Sequence, residues 1–173
     1  MMKKNNEKSV DDTSIKVLSF FLNQELYAIP VTDIREINRM SASTIKTLKN
    51  GIMMGLLNLH GSATCILNLK QILESNPFDL NPTPGWIAVK SQESIVCLAV
   101  DTFFRFMEIS DRNLSTIPVL KEQPDSEKIK FYARVDDNLI PVLDINYIIN
   151  LFKTDNHTTE KLSPGSPLPK SAV

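Results

Sequence analysis

Part of this chain is written twice. Residues Leu56–Leu73 (LLNLHGSATCILNLKQIL) align without a gap on Tyr132–Ile149 (YARVDDNLIPVLDINYII) at one constant offset. Leu57, Leu59, Ile66 and Leu67 fall on Ala133, Val135, Val142 and Leu143, and Leu69, Ile72 and Leu73 fall on Ile145, Ile148 and Ile149. Polar positions match as well: Asn58 with Arg134, Ser62 with Asn138, Asn68 with Asp144. A duplicated unit of this size predicts two similar subdomains side by side rather than one sheet. Such a pair leaves a groove and two outer faces, a plan suited to holding partners.

The local patterns agree with a doubled β fold. Ile15–Leu22 is rich in β-branched and aromatic residues and turns at Asn23-Gln24-Glu25 into Leu26–Ile29, a hairpin. Val31, Ile34 and Ile37 recur at helical spacing, which leaves two readings open: a helix, or a helical turn running into a strand. Ser43–Leu48 is a weak strand closed by Asn50-Gly51. Gly55–Leu59 and Ala63–Asn68 form a hairpin around His60-Gly61-Ser62, followed by a short helix over Leu69–Leu73. The second half repeats this order. Trp86–Lys90 and Ser94–Val100 pair around Ser91-Gln92-Glu93, and Phe103–Ile109 is a strand. Ser110–Lys128 is irregular; Ile129–Val135 and Leu139–Asp144 pair around Asp136-Asp137-Asn138, and Ile145–Phe152 is the closing helix.

Glu74–Gly85, with three prolines, reads as the linker between a subdomain at 15–73 and another at 86–152. Residues 1–14 and 153–173 read as disordered tails. Short strands joined by tight turns, without long intervening helices, predict a mostly β fold: two tandem five-stranded antiparallel barrels with short helices.

Composition excludes several classes of function. A net charge of −1 carries no footprint for nucleic acid or anionic lipid. Met1–Ser14 lacks an apolar signal core, and no apolar run is long enough for direct insertion in a bilayer. Cys65 and Cys97 sit in apolar strand patterns without CxxC spacing and read as buried thiols in a reducing, cytoplasmic compartment. No motif for a nucleotide, metal or other cofactor occurs. A Cys–His hydrolase would need His60 and Cys65, and nothing in the sequence orients a base between them.

The ordered series Ala28-Ile29-Pro30-Val31 to Ile34-Arg35-Glu36-Ile37, Gly55-Leu56-Leu57-Asn58-Leu59-His60-Gly61, Ile66-Leu67-Asn68-Leu69, Val100-Asp101 with Phe103 and Phe106, and Ile140-Pro141-Val142-Leu143-Asp144 resembles the CheW-like chemotaxis adaptors. The resemblance covers about Ile15 to Phe152. It implies SH3-like barrels and a non-catalytic adaptor in a chemotaxis or pilus-motility pathway. The implied partners are the regulatory domain of a CheA-type histidine kinase and the cytoplasmic tip of a methyl-accepting chemoreceptor, with no cofactor and no metal. Carried over by position, the partner-binding set is Ile34, Glu36, Gly55, Asn58, His60, Phe103 and Phe106.

Pattern alone gives these residues plainer roles. Ile34, Phe103 and Phe106 read as core, Glu36 as a solvated charge, and Gly55 as a backbone requirement, either positive φ or close approach. Two departures mark a divergent member: His60 stands where the family carries Arg, and Asn68 where its first half carries Asp. The alternative to the adaptor is an SH3-like interaction module unrelated to chemotaxis.

Overall fold

The computed structural model describes residues 13–40, 45–50, 52–74, 85–92, 94–116 and 126–157. The apolar run at the start forms β1 (Ser14–Leu22), which turns into β2 (Glu25–Pro30). Asn23 and Gln24 make that turn at φ 46° and 74°, the left-handed pair whose twist matches flanking strands. Of the two readings open for the next segment, the helical turn running into a strand is the one found. A single 3-10 turn, Val31–Asp33, leads into β3 (Ile34–Arg39). Then come β4 (Ile45–Asn50), β5 (Met53–Leu59), β6 (Ser62–Asn68) and α1 (Leu69–Glu74). The second half supplies β7 (Gly85–Ser91), β8 (Ser94–Val100), β9 (Thr102–Ser110) and the very short β10 (Leu114–Ser115). It closes with β11 (Ile129–Val135), β12 (Asn138–Leu143) and α2 (Ile145–His157).

Three expectations change at the margins. Ser110–Lys128 is not wholly irregular, since 3-10 turns at Asp111–Asn113 and Ser126–Lys128 and the strand β10 lie within it. Ser14 belongs to β1, and α2 runs to His157, past the helix end expected at Phe152. The expected linker and tails at 75–84, 1–12 and 158–173 lie outside the described residues.

The repeat holds its register in three dimensions. β5 and β11 begin and end at the offset read from the sequence, Met53 on Ile129 and Leu59 on Val135. The starts of β6 and β12, and of α1 and α2, keep the same displacement. Leu56 opposes Cys65 as Tyr132 opposes Pro141, and both hairpins bulge at the same place, Met53/Gly55 and Ile129/Phe131. The Asn68 N–H donates to Ile52 O at 2.7 Å, and the Asp144 N–H to Lys128 O at 2.8 Å. The first hairpins match too, at a slightly shorter displacement, so that the pair Leu22–Glu25 becomes Ser91–Ser94.

Among the described residues twelve strands form two six-stranded sheets. Sheet A runs β10-β11-β12-β2-β1-β9, and sheet B runs β3-β7-β8-β6-β5-β4. Each sheet therefore joins the opening hairpin of one half to the later strands of the other. Sheet B is built wholly from 34–100, a run that contains the boundary expected at 74–85, and strand pairing crosses that boundary. The halves meet along two antiparallel seams, β1–β9 and β3–β7, and two short parallel ones, β6–β8 and β12–β2. β6–β8 pairs Ile66, Leu67 and Asn68 with Cys97, Leu98 and Ala99, and β12–β2 only Val142 with Ala28. Pro30, which has no N–H to donate, stands where Ala99 completes the other seam.

Burial explains the exchange. Leu18, Phe20, Leu22 and Ile29 of β1 and β2 meet Ile87, Val89 and Leu98 of β7 and β8 in a central cluster closed by α1 and α2. Their neighbours turn the other way. Val17 and Ala28 join Ile109, Ala133, Ile140 and Val142 in a second cluster, and Trp86, Ala88 and Cys97 join Leu57, Leu59 and Ile66 in a third. The four opening strands are thus buried on both faces, each sheet wrapping its own small core as in an SH3-like unit. Asn68 and Asp144 cap the two helices in the same way, their Oδ1 atoms accepting from Gln71 N–H at 3.3 Å and Tyr147 N–H at 2.9 Å.

Candidate functional site

The β5–β6 turn explains three residues of the sequence motif. His60 and Gly61 occupy positive φ, 51° and 87°, and the Gly61 N–H donates to Asn58 Oδ1 at 2.7 Å. Asn58 and Gly61 thus build the turn, and His60 is the side chain it displays. His60 Nε2–H donates to Glu36 Oε2 at 2.6 Å across from β3. The His60 side chain is 79% exposed and that of Glu36 28%, so the pair orders the surface more than it stabilises the fold.

The apolar members divide. β3 and β9 occupy equivalent edges of the two sheets, related by the same displacement as the first hairpins. Ile34 opposes Val89 as Phe103 opposes Phe20, and Ile37 opposes Ile87 as Phe106 opposes Leu18. Ile34 and Phe103 are half-buried against the central cluster, in keeping with their plainer reading as core. Phe106 does not follow that reading, being 61% exposed. Its equivalent Ile37, absent from the sequence-derived set, is also exposed. Gly55 is buried in β5 between Thr47 and Ile66 and is not a positive-φ residue. A close approach is found at Gly85, where a Cβ would come 2.6 Å from the Phe103 ring.

Sequence reasoning missed two further exposed groups. Phe104 is the unpaired residue of a bulge in β9, 50% exposed and edge-on to Phe21 at 5.4 Å. The Arg105 guanidinium lies 5.1 Å from the Phe104 ring centre. It also left Asp101 without a role beyond the motif. Asp101, the single residue between β8 and β9, accepts from the Asn23 N–H at 2.9 Å and pairs with Lys70 of α1 at 2.8 Å. From the second half it thereby ties the strained β1–β2 turn to α1, both of the first half. Its proximity to an apolar run was the only signal available.

The His60–Cys65 pair that a Cys–His hydrolase would need is not brought together. Cys97 is fully buried, and its thiol is pushed up to about 12 by burial first, then by the Glu36 carboxylate and Cys65. Burial also raises the Cys65 thiol. Cys65 packs on the central cluster while Cys97 faces the third, opposite faces of sheet B, which rules out a bridge without backbone movement. His60 is engaged with Glu36. Among the described residues no cluster of three or more potential ligands could hold a metal, and no helix is long and apolar enough to cross a membrane.

We predict that a thiol reagent applied to the native protein at pH 8 labels Cys97 negligibly and Cys65 slowly, with both reacting after denaturation. Because the folded state keeps the Cys97 proton from its ordinary 9.0 up to about 12, stability contributed below pH 9 is lost as pH rises through that window. Prompt native labelling of Cys97 would overturn the burial assignment.

The profile of the CheW-like domain matches residues 16–153, from β1 into α2. The chain belongs to the CheW-like domain family. Its relatives include the chemotaxis protein CheW of Thermotoga maritima, 27% identical over 134 residues, 78% of this chain and 87% of that one. The chemotaxis protein CheW of Bacillus subtilis is 20% identical over 138 residues, 80% and 88% of the two chains. Among solved structures, the scaffolding protein TtCheW of Thermoanaerobacter tengcongensis superposes with a TM-score of 0.68 at 19% identity, covering 79% of this chain and 92% of that one. In this CheW-like chain the motif's Asn and Gly serve the backbone, and His60 takes the display position.

Proposed function

We propose that this chain is a non-catalytic cytoplasmic adaptor that couples chemoreceptors to a CheA-type histidine kinase in a chemotaxis or pilus-motility pathway. The observation that carries the reading is the family match, which covers nearly all of the folded chain. The relatives named for chemotaxis and the neighbour named as a scaffolding protein support it. The partners are the kinase's regulatory domain and the receptor's cytoplasmic tip, which would bring the protein to the inner face of the membrane. Phe106, His60 and Glu36 form the contact surface, Ile34 and Phe103 anchor the strands that carry it, and Asn58 and Gly55 shape the hairpin between them. Exposed aromatic and charged groups on a rigid β edge suit a modest interface strengthened by repetition.

Phe106→Asp tests the surface. An exposed anchor of this kind is worth about 2 kcal/mol, so receptor-tip binding measured by calorimetry should weaken roughly 30-fold. The melting temperature should stay within a few degrees, because the ring is solvent-facing. Failure of the unaltered chain to bind either a receptor tip or a kinase regulatory domain would reject the adaptor.

A further inference from the structure

At one end of sheet A two neighbouring strands separate. β2 and β12 run parallel and pair only at Val142–Ala28. Towards their starts they enclose a cleft of about 450 Å³, walled by Leu26, Leu139, Ile140 and Pro141 and rimmed by Glu25 and Asn138. That volume lies within the range of small-ligand clefts, roughly 300–1,000 Å³. Leu26 is one pair past a two-residue turn, where the backbone N–H and C=O face away from the hairpin partner, here towards β12. Continuing the parallel ladder would need an N–H from Pro141 to the Leu26 C=O, and proline has none. An acceptor is thus left at the wall of the cleft.

The apolar surface continues past the opening. Leu139 is 44% exposed. Phe21 opposes Leu26 on the same face and holds the half-exposed Phe104 ring edge-on. Large apolar groups gathered round one opening mark a contact surface. The rim is acidic. Glu25 is fixed by the Tyr27 hydroxyl, which donates to its Oε2 at 2.9 Å, and Asp136 and Asp137 form the exposed turn that leads into Asn138. These acids outnumber Arg134, the cation opposite Leu139. The internal repeat supplies a control. Where sheet A has Glu25, Asp136, Asp137 and Leu139, the equivalent places in sheet B hold Ser94, His60, Gly61 and Ala63, and Cys65 stands for Pro141. The acidic rim and apolar wall therefore belong to sheet A and are not a consequence of the fold.

We propose that the β2–β12 cleft docks a short extended peptide segment of a partner protein, one in which an apolar side chain is flanked by lysine or arginine. The apolar side chain packs on Leu26, Leu139 and Ile140, a peptide N–H donates to the Leu26 C=O, and the flanking cations face Glu25, Asp136 and Asp137. The same rim repels anionic lipid and nucleic acid. This inference does not rest on the adaptor reading, and its test uses neither kinase nor receptor.

The probe is the capped hexapeptide Gly-Lys-Leu-Leu-Lys-Gly, titrated into the full chain and followed by amide NMR shifts. The shifts should saturate and centre on Leu26 and Leu139. The counterpart with both lysines replaced by glutamate should bind about tenfold more weakly or worse, because like charges then meet at the rim. The double variant E25Q/D136N keeps an acceptor for the Tyr27 hydroxyl and a residue that tolerates the positive φ of position 136. It should weaken the lysine peptide about threefold or more, as two exposed charges allow. Leu139→Ser should weaken it by a similar factor. These side chains are exposed, so the melting temperature should stay within a few degrees in both variants. Absence of saturation up to millimolar peptide overturns the proposal, as does equal binding of the glutamate peptide. Shifts centred elsewhere on the chain, or an affinity indifferent to both variants, overturn it too.

Discussion

Phe20→Ala should cost about 3–5 kcal/mol and unfold both sheets in one transition. Phe20 is fully buried at the middle of β1, its ring 6.4 Å from that of Tyr27, in the cluster shared by both sheets and both helices. Truncation leaves a cavity that neighbours pinned in two sheets cannot close. Trp86, the one tryptophan, lies in sheet B, while Phe20 lies in sheet A. Its fluorescence therefore reports on the sheet that was not altered. In a denaturant titration, the Trp86 signal and far-ultraviolet dichroism should shift together to a lower midpoint. If the Trp86 midpoint stayed at its original value while half the dichroism was lost early, the central cluster would not couple the sheets.

The second large effect is expected at Asp101. Removing its carboxylate strips the partner from Lys70, whose side chain is only 13% exposed, and the acceptor from the Asn23 N–H in a turn with two non-glycine residues at positive φ. Leaving a mostly buried ammonium uncompensated is the costly step, so Asp101→Ala should lose about 2–4 kcal/mol. Lys70→Met, which removes the charge rather than stranding it, should cost less. The double variant should lose less than the two single losses added, because the stranded charge is gone. A loss below about 0.5 kcal/mol for Asp101→Ala, typical of a plain surface change, would show the clasp to be incidental.

Much of the local structure was legible. The repeat offset places β5, β6 and α1 on β11, β12 and α2 down to the bulges, because period-two burial and turn chemistry are written in consecutive residues. Asn68 and Asp144, met first as motif positions, prove to be helix caps, a role that a polar residue before an apolar helical run already announces. The candidate surface was less legible. In Phe103–Ile109 a simple alternation puts Phe103 and Arg105 on one face. The bulge at Phe104 instead sets Phe103 and Phe106 on the same face, one against the core and one in solvent. A single inserted residue re-aims every side chain beyond it, and its position depends on the neighbouring strand rather than on β9 itself.

By itself the sequence determined a doubled β unit, its hairpins, caps and family, since those follow from residues close together along the chain. Only the tertiary structure decided that the opening hairpins trade places between the halves. β1 at Val17–Leu22 and β7 and β8 at Ile87–Val89 and Val96–Val100 bury apolar residues on both faces, so alternation along the strand does not choose their neighbours. The choice falls to the arrangement that buries one face of all four strands in the shared central cluster and the other in each sheet's own small core, a condition visible only when the whole chain is packed.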